Sequence, residues 1–142
     1  LSVLLLLGRV AVVGQVGDSR IYLTRDDQIA QITDDHTLIA AQIREGMITE
    51  EEARFAPHRN VITRAVGSHK YVEVDTRVVE TVPGDRFLLC TDGLHGYIES
   101  EEEVLRHLGL PLEESTRTLI DLANTRGGKD NITAIVVEVE EV

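Results

Sequence analysis

The sequence has 142 residues, of which 42% are hydrophobic and 27% are charged, and its formal net charge is −11. This length fits one ordinary domain with its own core, and the hydrophobic content excludes a disordered chain. The acidic balance argues against nucleic acid and against an anionic membrane as partners, because both bind basic surfaces. It also suits a protein that collects divalent cations, although most acidic residues in any protein are solvated.

The first seven residues and the single cysteine bear on where the protein is located. Residues 1–7 are apolar but far shorter than a membrane span, and they lack the basic flank of a signal peptide. We interpret them as a buried strand. Cys90 lies in an apolar run and is interpreted as a core residue. A lone cysteine fits a reducing compartment, so we expect a cytoplasmic protein.

The first third of the sequence consists of strand-length apolar runs. The predicted strands span residues 1–7, 9–16, 20–24 and 28–32. Gly8 separates the first two runs, and Asp26-Asp27 forms a polar turn between the last two. Strand, turn and strand at this spacing predict antiparallel hairpins.

The middle of the chain changes to helical spacing. Apolar residues recur with a helical period over residues 37–45, and Gly46 stops the run. Thr49 is followed by three glutamates, a capping-box pattern that predicts a second short helix before Pro57.

Two further strands follow the predicted helices. Valines alternate with charged residues over residues 71–82, which predicts a half-buried strand. Pro83-Gly84 is typical of a turn. The run RFLLC at residues 86–90 shows no alternation, which predicts a strand covered on both faces.

Two helices and a last strand complete the predicted elements. A second capping-box pattern at Ser100 opens a helix to about Leu108. Pro111 opens another helix, which Gly127-Gly128 ends. Its predicted apolar face consists of Leu112, Thr116, Leu119, Ile120 and Ala123. With a last strand over residues 132–139, the sequence predicts one α+β domain of largely antiparallel sheets with helices packed on them.

Three aspartates stand beside predicted strands. Asp18 follows the second strand, Asp92 follows RFLLC, and Asp130 precedes the last strand. If those strand edges meet, the three carboxylates repel one another unless one is protonated or a cation binds. Mg²⁺ or Mn²⁺ would suit these hard oxygen ligands. Taken singly, each aspartate also fits an ordinary turn, so the pattern alone leaves both interpretations open.

Five short segments occur in a fixed order along the chain. They are VGDSR at 16–20, TDDHT at 33–37, NVITRAVG at 60–67, CTDGL at 90–94 and KDNIT at 129–133. Together they resemble the bacterial form of the metal-dependent serine/threonine protein phosphatases of the type 2C, or PPM, family. The resemblance extends over the whole chain.

The resemblance implies a fold, a metal centre and a substrate class. It implies a sandwich of two antiparallel sheets flanked by helices, in α-β-β-α layers, and two or three Mn²⁺ or Mg²⁺ ions at one edge. Asp92 and Asp130 would bind the central pair of ions, and Asp18 would bind an additional ion together with Asp92. The ions activate a water that attacks phosphorus in line, so no side-chain nucleophile is required. The implied substrates are phosphoserine and phosphothreonine proteins, and a Ser/Thr kinase stays open as a partner.

Residues 35–60 correspond in this resemblance to a helical flap beside the cleft. Asp35 and His36 resemble residues that anchor the flap, although their place at a helix start favours a surface or capping role. For His95, contact with a water at the metals is one interpretation. An exposed loop position is the favoured interpretation.

Part of the family's catalytic domain has no counterpart in this sequence. The phosphate-binding arginine, an acidic ligand and the Asp-Gly-x-Gly-Gly stretch with its bridging aspartate do not occur. The chain therefore resembles a partial, N-terminally incomplete catalytic domain, either a piece of an enzyme or a reduced, inactive relative. We expect little or no phosphatase activity from this chain alone, and exposed sheet edges.

Three functions remain to be compared. The leading one is hydrolysis of phosphomonoesters on proteins, and the second is a non-catalytic binding or regulatory module of the same fold. A calcium-binding domain is disfavoured because no EF-hand spacing occurs. A cysteine-dependent phosphatase is excluded because no arginine lies in the loop after Cys90.

Overall fold

The computed structural model describes residues 1–58 and 60–141. The strands within them are β1 (Ser2–Leu7), β2 (Val10–Gln15), β3 (Arg20–Arg25), β4 (Gln28–Gln31), β5 (Asp75–Glu80), β6 (Arg86–Cys90) and β7 (Ala134–Glu138). The helices are α1 (Leu38–Arg44), α2 (Glu50–Ala53), α3 (Asp92–His95), α4 (Glu101–Leu108) and α5 (Leu112–Thr125). None of these helices is long and apolar enough to cross a membrane.

The strands form two antiparallel sheets. The first sheet has the order β1-β2-β5 and the second has the order β4-β3-β6-β7. Helices α4 and α5 pack against the second sheet. The predicted α+β fold with antiparallel sheets is therefore confirmed.

Local turn and capping chemistry explains several element boundaries. Asp26 and Asp27 both have positive φ, at 49° and 59°, and they close the predicted β3–β4 hairpin. Thr49 caps α2 with a complete capping box, because the Glu52 carboxylate accepts from the Thr49 backbone N–H at 2.8 Å. These parts of the prediction are confirmed.

Strand β6 contributes to two separate cores. Phe87 packs between the two sheets with residues of β2 and β3. Leu88 and Cys90 point to the other side and pack with residues of α4 and α5. This confirms that the RFLLC strand is covered on both faces, and that Cys90 is a core residue. Burial raises the pKa of the Cys90 thiol to about 12.

The outer face of the first sheet is apolar and exposed. Its exposed apolar residues include Val3, Leu5, Leu7 and Val78, with exposed fractions of 47%, 50%, 53% and 66%. Among the described residues, no helix packs extensively on this face. The predicted burial of β1 and of the valine face of residues 71–82 is therefore wrong for the described part of the chain.

Some predicted boundaries also differ from the structure. Strand β5 covers only residues 75–80 of the predicted range 71–82, and the short helix α3 is not predicted from the sequence. On α5, Ser115 is buried with Leu119 and Ala123, whereas Leu112 at the first turn is 39% exposed. At the N-terminal end of α5, the buried face therefore includes Ser115 and not the predicted Leu112.

Glu103 connects α4 to the end of α5. Ser100 accepts the Glu103 backbone N–H at 3.3 Å, but the Glu103 carboxylate does not return to Ser100. It accepts the backbone N–H of Glu99 at 3.0 Å instead, together with two hydrogen bonds from Arg126 at 2.7 and 2.8 Å. The second predicted capping box is thus only half formed. The Arg126 guanidinium lowers the pKa of Glu103 to about 2.

The Glu103–Arg126 pair is expected to make stability depend on pH. The folded-state pKa lies below the ordinary value of 4.5, so the contribution is present above pH 4.5 and is lost as the pH falls toward about 2. We expect Glu103→Gln to lower the free energy of unfolding by about 1–2 kcal/mol at pH 7, and by progressively less below pH 4.5. Urea unfolding of both proteins at pH 7 and pH 3 measures this difference.

A matched variant controls for the loss of a negative charge on α4. Glu101→Gln, on the exposed side of the same helix, is expected to change stability by less than about 0.5 kcal/mol. A Glu103→Gln effect of the same size at both pH values would show that the ion pair is not its cause.

Candidate metal-binding site

The three predicted ligand aspartates lie at neighbouring strand ends of the second sheet. The first residues of β3 and β7 both pair with Cys90, the last residue of β6. Asp18 comes just before β3, Asp92 just after β6, and Asp130 shortly before β7. The strand register therefore brings the three aspartates to one edge of the sheet, as the sequence prediction requires.

The loops after β6 and before β7 are bonded and closely packed. The Thr91 backbone N–H donates to the Thr133 carbonyl at 3.2 Å, and the Thr133 N–H donates to Thr91 Oγ1 at 3.1 Å. A Cβ on Gly93 would lie only 2.1 Å from the backbone oxygen of Asn131. The glycine after Asp92 thus allows these two loops to approach each other.

Two histidines hold the loop that carries Asp18. The Gly17 N–H donates to His36 Nδ1 at 3.1 Å, and the His36 backbone N–H donates to the Gly17 carbonyl at 2.9 Å. His95 Nε2 lies 2.8 Å from the Asp18 carbonyl oxygen. Because a carbonyl only accepts, His95 donates this hydrogen bond. The backbone is therefore fixed on both sides of the Asp18 side chain.

His36 is a buried residue with partners on several segments. Only 3% of it is exposed, and its Nδ1 accepts from Gly17, so its ring proton lies on Nε2. Nε2 faces Asp75 Oδ2 at 2.9 Å, and Arg64 binds the other oxygen of Asp75 at 2.6 Å. His36 and then Arg64 lower the pKa of Asp75. Thr37, not His36, caps α1, so the surface or capping role predicted for His36 is wrong.

Asp35 anchors the start of the same segment to β3. Its carboxylate accepts from Arg20 Nη2 at 2.7 Å and from Nε at 3.0 and 3.1 Å, and Gln31 donates to it at 3.0 Å. Its side chain is 13% exposed. The surface role favoured for Asp35 is therefore wrong as well, whereas its assignment to a substrate flap stays a prediction.

His95 lies at the end of the short helix that begins with Asp92. The predicted exposed loop position is wrong, because the ring is half-buried and bonded to the Asp18 loop. Burial lowers the pKa of His95. No local sequence pattern indicates this contact, because His95 and Asp18 are 77 positions apart.

The carboxylates of the three aspartates are of the right type for divalent ions. Oδ1 of Asp92 accepts the neighbouring Gly93 N–H at 3.0 Å, and Oδ1 of Asp130 accepts that of Asn131 at 2.7 Å. The ion pairs found among residues 1–58 and 60–141 use other carboxylates. Carboxylate oxygens at a partly exposed edge fit Mg²⁺ or Mn²⁺.

The described residues do not form a complete ligand shell. Within them, no group of three or more acidic, histidine or cysteine side chains could hold a metal ion by itself. Waters, backbone carbonyls or other oxygen groups would have to complete the coordination of an ion bound here. The assignment of Asp18, Asp92 and Asp130 as ligands stays a prediction.

Comparison with known proteins establishes the family. A model of the family described as protein phosphatase 2C matches residues 1–136. The chain belongs to the protein phosphatase 2C family. A putative protein phosphatase 2C-type of Streptococcus pyogenes is 42% identical over 132 residues, which are 92% of this chain and 53% of that protein. The chain thus spans about half the length of this relative.

Solved structures of protein phosphatase 2C relatives share the fold. The crystal structure of the serine/threonine phosphatase PstP of Mycobacterium tuberculosis superimposes with a TM-score of 0.93 at 40% identity, covering 99% of this chain and 59% of that one. The PstP catalytic domain in complex with two manganese ions gives a TM-score of 0.88 at 39% identity, covering 99% and 58%. The predicted membership of the family is confirmed.

The five segments that carry the family resemblance meet around the same sheet edge. Segment 16–20 contacts segment 33–37 through Gly17 and His36, and Thr63 of segment 60–67 donates to the His36 carbonyl. Strand pairing and the Thr91–Thr133 bonds join the other two segments to this group. In this member of the protein phosphatase 2C family, the five segments are therefore neighbours in the fold, although they are separated in the sequence.

Proposed function

We propose that this chain provides the metal-binding edge of a metal-dependent protein serine/threonine phosphatase. The observation that supports this most is the strand register, which gathers Asp18, Asp92 and Asp130 at one edge in a member of the protein phosphatase 2C family. Because the related PstP domain binds two manganese ions, we assign two or three Mn²⁺ or Mg²⁺ ions to this edge. Asp92 and Asp130 serve the central pair, and Asp18 serves an additional ion together with Asp92.

The chain's own residues hold the ligands in place. Bound ions lower the pKa of a water nucleophile and neutralise charge on the phosphoryl oxygens. Asp92 is fixed at the start of α3, and the Thr91–Thr133 bonds hold the Asp130 loop beside it. Cys90 takes no part, because it is buried and its thiol pKa is raised to about 12.

The substrates and the cellular setting follow from the same assignment. We propose phosphoserine and phosphothreonine proteins as substrates and a Ser/Thr kinase as the enzyme that opposes this activity. A lone buried cysteine is suited to a reducing compartment, which supports a location in the cytoplasm.

A second candidate function is a non-catalytic binding module of the same fold. The specific observation in its favour is that the described residues contain no group of three metal-ligating side chains. In this case the edge would bind a partner or a single weakly held ion without turnover.

A chimera tests the proposed activity. This chain would replace the matched region of the PstP catalytic domain, and hydrolysis of a phosphothreonine peptide would be measured with Mn²⁺. We expect Mn²⁺-dependent hydrolysis, and a loss of at least about 100-fold in kcat/KM in Asp92→Asn and in Asp130→Asn, since each variant removes a charged ligand. Asp121→Asn, on the exposed side of α5, is the matched control and is expected to keep full activity.

The outcomes separate the two functions. Unchanged turnover in both Asp92→Asn and Asp130→Asn would contradict the metal assignment. A folded chimera that binds Mn²⁺ but does not hydrolyse the peptide would favour the binding module.

A further inference from the structure

We infer that His95 is a positioning residue for the proposed metal site, because its hydrogen bond to the Asp18 carbonyl sets the Asp18 side chain against Asp92. The inference rests on the proposed function, since it concerns how two of the assigned ligands are brought together. His95 is not assigned as a ligand of the ions. It acts through the backbone of Asp18.

Asp92 and His95 belong to one turn of helix. The His95 N–H donates to the Thr91 carbonyl at 3.1 Å, and the Gly96 N–H donates to the Asp92 carbonyl at 2.8 Å. These bonds fix the backbone of His95 relative to that of Asp92. The hydrogen bond from the His95 ring to the Asp18 carbonyl, at 2.8 Å, joins this turn directly to the neighbouring loop.

His36 and His95 hold different backbone groups of the Asp18 loop. His36 binds the N–H and the carbonyl of Gly17, so it fixes the chain as it enters Asp18. The carbonyl of Asp18 itself is held by His95. Gln15 Nε2 holds the neighbouring carbonyls of Gly17 and Ser19, at 2.9 and 2.7 Å, but not that of Asp18. Without His95 the Asp18 carbonyl loses this partner, and we expect the direction of the carboxylate to be less well fixed. Residues that orient metal ligands in this way typically change metal affinity by about 10- to 100-fold when they are removed.

The side chain at position 95 needs a donor at one particular distance from the backbone. Glutamine places its amide nitrogen at nearly the same distance from the backbone as His Nε2, whereas asparagine places it close to the position of Nδ1. We therefore expect His95→Gln to preserve the contact. His95→Asn and His95→Ala are expected to lose it.

The test is a titration of the ¹⁵N-labelled chain with MnCl2. Paramagnetic broadening of amide signals in residues 17–19, 93–94 and 131 reports binding at this edge, even when it is weak. We expect His95→Ala and His95→Asn to weaken the apparent Mn²⁺ affinity by about 10-fold, and His95→Gln to stay within about 2-fold of the original chain. His107→Ala is the matched control, because its ring contacts Thr118 on α5 instead, at 2.8 Å.

A double-mutant cycle separates positioning from a general loss of stability. In an Asp18→Ala background, His95→Ala should cause no further loss of Mn²⁺ affinity, because its target is gone. An equal loss in both backgrounds would overturn the inference. If Asp18→Ala weakened Mn²⁺ binding but His95→Ala did not, the inference about His95 would also be overturned. The proposed function would not be affected by that result. Absence of broadening at this edge would instead contradict the metal assignment itself. An Asp18→Ala variant with unchanged Mn²⁺ affinity would contradict the assignment of Asp18 to the additional ion.

Discussion

Gly93→Ala is expected to lower the free energy of unfolding by about 3 kcal/mol or more, and to separate the loops that carry Asp92 and Asp130. A Cβ at position 93 would lie 2.1 Å from the Asn131 carbonyl oxygen and 2.9 Å from its carbon. Both are backbone atoms, and the Thr91–Thr133 hydrogen bonds keep that backbone in place. The clash can therefore be relieved only by moving the Asp92 loop away from the Asp130 loop.

Urea denaturation measures the effect of this substitution, and a second glycine provides the control. A Cβ on Gly14 would have only side-chain atoms at 3.9 Å as its nearest neighbours. Gly14→Ala is therefore expected to leave stability unchanged or to raise it by up to about 1 kcal/mol. A Gly93→Ala chain as stable as the original would show that the two loops are not in close contact.

His36→Ala is expected to lower the free energy of unfolding by about 2–4 kcal/mol, since it combines a cavity with an unpaired buried donor. The Gly17 N–H loses its acceptor, and Asp75 loses one of its two side-chain partners. Hydrogen exchange of the Gly17 amide should also become faster. This amide readout distinguishes loss of the specific bond from a general loss of packing.

An exposed histidine provides the control for His36→Ala. His69 is exposed in the segment before β5, and His69→Ala is expected to change stability by less than about 0.5 kcal/mol. If His36→Ala were equally mild and the Gly17 amide stayed protected, the role given to His36 as an anchor of the Asp18 loop would be wrong.

The elements that the sequence predicts correctly are those whose signals are local. The positive φ angles of Asp26 and Asp27 follow from a two-residue turn between strands, and Thr49 finds its capping partner three residues away. By contrast, Glu103 was expected to complete a second capping box. It binds Arg126, 23 positions away, and the backbone N–H of Glu99 in place of that of Ser100. The contact with Arg126 depends on tertiary packing, which the capping pattern does not show.

Burial of a sheet face depends on what packs against it, and local alternation does not contain this information. Val78 alternates with charged neighbours as a buried residue would, yet it is 66% exposed because it lies on the outer face of the first sheet. The strand β6, which is covered on both sides, showed a continuous apolar run and was predicted correctly.

The candidate site was only partly predictable for the same reason. The positions of Asp18, Asp92 and Asp130 beside strands were visible in the sequence, but their meeting at one edge depends on the pairing of β3, β6 and β7. His36 and His95 reach partners 19 and 77 positions away, so no local pattern distinguishes them from exposed histidines.

Anomalous scattering from a crystal of this chain grown with MnCl2 would show whether the three aspartates face a common metal site. We expect an anomalous peak at the edge of the second sheet, with Asp92 and Asp130 oxygens within about 2.3 Å of manganese and Asp18 facing the same place. A crystal at millimolar Mn²⁺ with no peak there, or with these carboxylates directed away from one another, would contradict the metal assignment.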